Sequence, residues 1–237
     1  MKKIQLYIIF CFAFAILGCQ KDSKTHFYSC DDDINNWVIE NESEIENMSR
    51  TDLLLYNNDY QRPIFRAFTS KQRLSCWKDK LNEVLVLQWD TNERLHIYTL
   101  LKNLDINWFV ENNYVNGLNP QILRDDFIKN WIEKGINEIG WSKGLVHSMI
   151  VCMETNVSDN GYLIESVEKV ENSNSLKESG AGTCTCSTAS DWCNLGGDAL
   201  GSCKEHADNC RASTMGCGTL WTFSCNGKCR LGTIYDL

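Results

Sequence analysis

The chain has 237 residues, 13 cysteines and a net charge of −8. It lacks the clustered Lys and Arg that nucleic-acid phosphates require, and equally the cationic helix face of a membrane-dissolving peptide. Eight of the thirteen cysteines fall between 184 and 229, so the length suits one helical domain followed by a small cysteine-rich cassette.

The chain opens with Lys2 and Lys3 and then a mainly apolar stretch, 4–17, shorter than the roughly 20 residues of a membrane span. It ends Ile16-Leu17-Gly18-Cys19, followed by the polar run Gln20 to Lys24. A cysteine directly after Leu-Gly resembles the bacterial lipobox. The resemblance implies cleavage before Cys19, acylation of Cys19, and loss of Cys11 with the leader. Each buried CH₂ of an acyl chain contributes about 0.8 kcal/mol, so two or three chains hold a protein on a membrane. The mature chain is therefore expected outside the cytosol, where disulfides persist. Gln20-Lys21-Asp22 resembles the short charged signal that sends some Bacteroidetes lipoproteins to the outer face of the outer membrane. Residues 1–19 carry two lysines and no acid, which leaves −10 on the mature chain.

Residues 19–30 read as a lipidated cysteine and short tether. From 31 to 48, Ile34, Trp37, Val38, Ile45 and Met48 make a helical stripe. Asp31, Asp32 and Asp33 suit the positive end of its dipole. No calcium loop follows them. Ser49 with Asp52 resembles a capping box for a second short helix. Pro63 suits the first turn of a third, through Ile64, Phe65 and Phe68. Thr69-Ser70 caps a helix with Leu74, Trp77, Leu81, Val84 and Leu85 inward. Asp90 opens another, with Leu95, Tyr98, Leu101 and Leu104 on one face. Asn119-Pro120 starts the last clear helix, with Leu123, Phe127, Trp131, Ile132, Ile136 and Ile139. The apolar run 145–153 fits a helix or a buried strand equally. The predicted fold is mainly α: a helical bundle over 31–153, a linker over 154–183 rich in Asn, Ser and Gly, and a disulfide-rich module over 184–237. Trp37, Trp77, Trp108 and Trp131 read as core.

No H-E-x-x-H, G-x-S-x-G or phosphate-cradling loop occurs. His147 and Cys152 lie five apart, a spacing that permits a Cys–His pair without establishing one. No enzyme activity, cofactor or metal is expected. Cys30, Cys76 and Cys152 form an odd set, read as one pair and one buried thiol. In the cassette the candidate framework is Cys184, Cys186, Cys193, Cys203, Cys210, Cys217, Cys225 and Cys229. Zinc through Cys203, His206 and Cys210 fits poorly, because the ligand pairs are too far apart. In an exported chain disulfides are favoured, and each is worth roughly 2–4 kcal/mol. Eight cysteines allow 105 pairings, among which sequence does not choose.

The run Cys184-Thr185-Cys186-Ser187-Thr188-Ala189-Ser190-Asp191-Trp192-Cys193, the block Cys217-Gly218-Thr219-Leu220-Trp221, and Cys225-Asn226-Gly227 resemble the fulvocin C-related bacteriocins. The whole chain resembles the Bacteroidetes lipoproteins grouped with them. The last cysteine, Cys229, is displaced from that pattern, and 194–211 has its own spacing. The resemblance implies an antibacterial effector that acts without catalysis. It would be released by cleavage in 179–183, or act by contact on a component of the target-cell envelope. The alternative is a non-toxic surface lipoprotein whose module binds a partner through Trp192, Trp221 and Phe223, since aromatics often anchor interfaces.

Overall fold

The computed structural model describes residues 27–110, 120–165, 185–194, 201–205 and 215–231. Cys19 with the leader, Asn119, the linker from 166 onward, Cys184 and Cys210 lie outside the described residues. The described chain is mainly helical, with eight α-helices and one two-stranded ribbon. No helix among the described residues is long and apolar enough to cross a membrane.

Helix α1, Asp32–Glu40, starts where the Asp31 carboxylate accepts from Ile34 N at 3.0 Å. The predicted single stripe over 31–48 breaks at Asn41. Its side-chain amide donates to Trp37 O at 2.7 Å, so the side chain competes with the helix and ends it. Two short helices follow, α2 at Glu42–Ile45 and α3 at Arg50–Leu53, the second closed by the expected Ser49/Asp52 capping box. Helix α4, Asn58–Ala67, begins earlier than predicted. Asn57 caps it, so Pro63 lies in its interior, not its first turn. Pro63 is buried there beside Ile64 and Phe65, which offsets the roughly 3 kcal/mol that an interior proline costs.

Helix α5, Ser70–Leu85, runs through the middle of the core and buries Cys76, Trp77, Leu81 and Val84. Its Lys80 is also buried, and the ammonium donates to Glu154 O. Two arginines are held the same way, by backbone oxygens. Arg73 donates to Phe65 O and Phe109 O, and Arg50 to Met153 O, with Glu83 paired at 2.7 Å. Buried cations need such partners.

On α6, Thr91–Asn103, and α7, Pro120–Lys134, most of the predicted stripe packs in or against the core, with Leu101, Leu104, Phe127 and Trp131 among it, but Leu95, Tyr98 and Leu123 are exposed, and His96, Ile97, Leu100, Arg124 and Ile128 are buried. A reciprocal polar contact holds His96 inside. His96 stacks on Trp131 at 4.7 Å and its Nε2 meets Trp131 O at 2.9 Å, while Trp131 Nε1 donates to His96 O at 2.9 Å. A satisfied histidine outranks a leucine for the inside position here.

The run 145–153 resolves as helix: α8 spans Lys143–Ile150. Residues 154–165, read as the start of a linker, fold back as a tight turn with an isolated Val157–Leu163 bridge. Leu163 enters the core, and Gln88 N donates to Gly161 O at 3.1 Å. The ribbon pairs β1, Gly201–Glu205, antiparallel with β2, Gly227–Leu231.

Candidate functional site

The cysteine-rich segment is seated on the helices, and Trp221 carries the seat. Its ring packs edge-on to Phe65 at 5.1 Å and to Trp77 at 6.3 Å, and its Nε1 donates to Val151 O at 2.8 Å. Leu220 is wholly buried in the same cluster as the helical core. Around them, Arg62 lies over the Trp221 ring at 4.9 Å and donates to Gly216 O at 2.9 Å. Arg66 donates to Met215 O at 3.0 Å and to Tyr28 O. Burial, with Arg62 and Arg73 nearby, lowers the Arg66 pKa to about 9, so it stays charged near neutrality.

The backbone bends sharply to place these two side chains. Leu220 and Trp221 both have φ of 51°, a left-handed conformation that costs a non-glycine residue about 1–2 kcal/mol. Burying a tryptophan covers about 150–250 Å², worth about 4 kcal/mol or more at 25 cal/mol per Å². Burial therefore outweighs the strain. Gly216, at φ of 110°, lets the chain pass the Arg66 guanidinium; a Cβ there would lie 2.6 Å from Arg66 Nε. The Cys217–Cys225 disulfide closes the loop, with Cys217 N and Phe223 N donating to each other's carbonyl at 3.0 Å.

The other half of the segment is the ribbon and the loop over it. Cys203 and Cys229 are cross-strand partners in the ribbon. Neither bonds to the other. Cys203 bonds to Cys186, and Cys229 to Cys193, both from the loop. Asp191 ties the loop to the ribbon: one oxygen accepts from Cys193 N and the other from Cys203 N, each at 2.8 Å. Asn226 and Thr188 exchange two hydrogen bonds across the same gap. The two halves join at Thr219, whose N donates to Ser190 Oγ at 3.0 Å and whose hydroxyl accepts from Trp192 Nε1 at 3.0 Å. The residues of the C-S-T-A-S-D-W-C run and of the C-G-T-L-W block thus hold the segment together and seat it.

Of the three aromatics expected to meet a partner, this placement corrects Trp221. Trp221 is 3% exposed and faces the chain's own core. Trp192 is half-buried, bonded to Thr219 and 5.9 Å from the His147 ring. Phe223 is half-buried under Arg124, whose guanidinium lies 4.9 Å from its centroid. A segment too small for its own apolar core lends its aromatics to a larger one. Among the described residues of the segment, the exposed polar ones are of mixed sign: Thr188, Asp191, Asn194, Lys204 and Glu205.

The odd cysteines also pair differently from the expectation. Cys76 and Cys152 remain thiols, and Cys30 is disulfide-bonded. Every other described cysteine is accounted for, so the partner of Cys30 lies outside the described residues. Cys30 packs on the Cys217–Cys225 bridge. Cys152 Sγ does lie 3.4 Å from His147 Nδ1. Burial, reinforced by Arg62, pushes the His147 pKa down to about 4, so its ring is neutral near pH 7. The pair is a thiol beside a neutral imidazole, a poor arrangement for generating a thiolate. Burial pushes the Cys76 thiol up to about 12.

No protein-family model, no curated protein and no solved structure matches the chain.

Proposed function

We propose that this chain is an exported lipoprotein, acylated at Cys19 and displayed at the outer-membrane surface, whose cysteine-rich segment is a non-catalytic recognition head that works in place. The observation that carries the reading is the seat of Trp221. Removing the segment would withdraw a buried indole and Leu220 from the helical core, so the helices act as its mount and not as a disposable carrier. Among the described residues, the exposed polar surface around Asp191, Lys204 and Glu205 is open to a partner, a polar component of a neighbouring cell's envelope. The residues that resemble the fulvocin C-related bacteriocins are spent on internal bonds, so the likeness supports a shared scaffold more directly than shared toxicity. It also favours a second reading, killing by contact through the same face.

The test uses the mature chain with a protease site inserted between 170 and 180. After cutting, oxidised head and helices should elute together even in C30S, which lacks the Cys30 disulfide, and the intact chain should bind envelope fractions of related bacteria. The isolated oxidised segment 183–237 should clear no lawn. Clearing by that segment alone would overturn the reading and establish a releasable bacteriocin. Clearing by cells displaying the intact chain, without clearing by the segment, would select the contact version.

A further inference from the structure

Four sulfurs gather on one face of the ribbon, under the loop. The Sγ atoms of Cys186, Cys193 and Cys229 all lie within 4.8 Å of one another, and Cys203 Sγ is bonded to that of Cys186. We propose that these four cysteines form a two-state site: two disulfides when oxidised, and a tetrathiolate site for one soft divalent ion of the zinc class when reduced.

The size of the cluster fits. Zinc–sulfur bonds of about 2.3 Å in a tetrahedron set the thiolates about 3.8 Å apart, within the 4.8 Å span of Cys186, Cys193 and Cys229, and Cys203 would part from Cys186 by about 2 Å to complete the set. The ligand set is all sulfur, which selects a soft or borderline ion over magnesium or calcium. Cys186, Cys193 and Cys203 are each more than nine-tenths buried, and Cys229 is half-buried, so the ion would be reached by water from the Cys229 side only.

The scaffold does not depend on the S–S bonds alone. Thr185 N and Cys186 N both donate to Gly227 O at 3.0 and 3.1 Å. Asp191 bridges Cys193 N and Cys203 N, and Asn226 holds Thr188. These bonds keep the loop over the ribbon when the disulfides open. Gly227 leaves room for the sulfurs, since a Cβ there would lie 2.7 Å from Cys203 Sγ.

The interconversion balances. Each disulfide takes two electrons and two protons from a dithiol, which leaves as its own disulfide. The four thiols then release four protons as the ion binds. The inference is independent of the recognition reading and survives its failure.

The test reduces the full mature chain anaerobically with a phosphine and titrates it with Co²⁺, then Zn²⁺. The expected result is one equivalent of Co²⁺ with the visible bands of tetrahedral thiolate coordination, displaced by Zn²⁺. C193S/C229S should lose that saturable signal, and C217S/C225S should keep it. Alkylation of the reduced wild-type chain gives a readout that needs no variant: Zn²⁺ should protect Cys186, Cys193, Cys203 and Cys229 while leaving Cys217 and Cys225 to react. Absence of thiolate bands, an undiminished signal in C193S/C229S, or protection that does not single out these four would each overturn the proposal.

Discussion

The two halves of the cysteine-rich segment are stabilised by different physics. The loop 215–225 has one described disulfide and is held by burial, with Leu220 and Trp221 inside the helical core and two arginines on its backbone. The ribbon and its loop have two disulfides over four cysteines, a hydrogen-bond lattice and a polar outer face. A cysteine count treats both halves as one stapled module. The contacts make the first a plug in the helical fold and the second a head standing on it.

The strongest way to break this contrast is Trp221→Ala. A buried tryptophan truncated to alanine typically costs about 3–5 kcal/mol, and here the Val151 carbonyl loses its donor as well. Urea unfolding should show the helical signal moving to lower denaturant by that amount. A head merely tethered by a linker would leave the helices unchanged.

Next in size is the pH response of His147, which lies at the seam between α8 and Trp192. Its folded pKa, about 4, lies below the ordinary 6.5. The unfolded chain therefore binds the extra proton first as pH falls. Stability should be full above about pH 6.5, decline between about 6.5 and 4, and level off below. The loss has an upper bound of about 3 kcal/mol from this group. His147→Gln should flatten that window in stability curves measured from pH 4 to 7.

Opening one disulfide from each half sharpens the comparison further. C217S/C225S removes a bridge of sequence separation 8, worth about 2–3 kcal/mol in the chain-entropy estimate. Because its loop is the plug, the loss should register in the helices. C193S/C229S, with a separation of 36, relaxes the unfolded chain more. Its effect should concentrate in the ribbon, seen as faster amide exchange in 185–193 and 227–231 with α4 and α5 still protected.

Much of the helical part was legible from local chemistry. The Ser49, Thr69 and Asp90 caps and the burial of Trp77, Trp108 and Trp131 follow from side chains and short-range spacing. The burial of His96 in place of Leu95 and Tyr98 was not, because the His96–Trp131 exchange spans 35 residues and places a polar group where periodicity puts leucine. The disulfide framework was legible as a set, and its pairings were not, since Cys203 and Cys229 each reach past their nearest neighbour. The seat of Trp221 had a single sequence signal: a segment with several aromatics and too few apolar residues of its own to bury them. That signal points equally to an outside partner and to the rest of the chain. The Phe65 and Trp77 contacts, more than 140 residues away in sequence, decide it.

The smallest expected effect tests the joint between plug and head. Ser190 Oγ accepts from the N–H of Thr219, a buried residue, and the two hydroxyls lie 3.0 Å apart. Ser190→Ala leaves that donor without its acceptor and should cost about 1–2 kcal/mol. Trp192→Phe keeps the ring but removes the indole donor to Thr219 Oγ1, for about 1 kcal/mol. Both act on one threonine, so they should not add. Once one bond is gone Thr219 can turn, and the second substitution removes less, with a coupling of about 0.5 kcal/mol or more in a double-mutant cycle. Additive losses would mean that Ser190 and Trp192 hold the head independently. The joint would then be a broad surface, and the division into plug and head would lose its hinge.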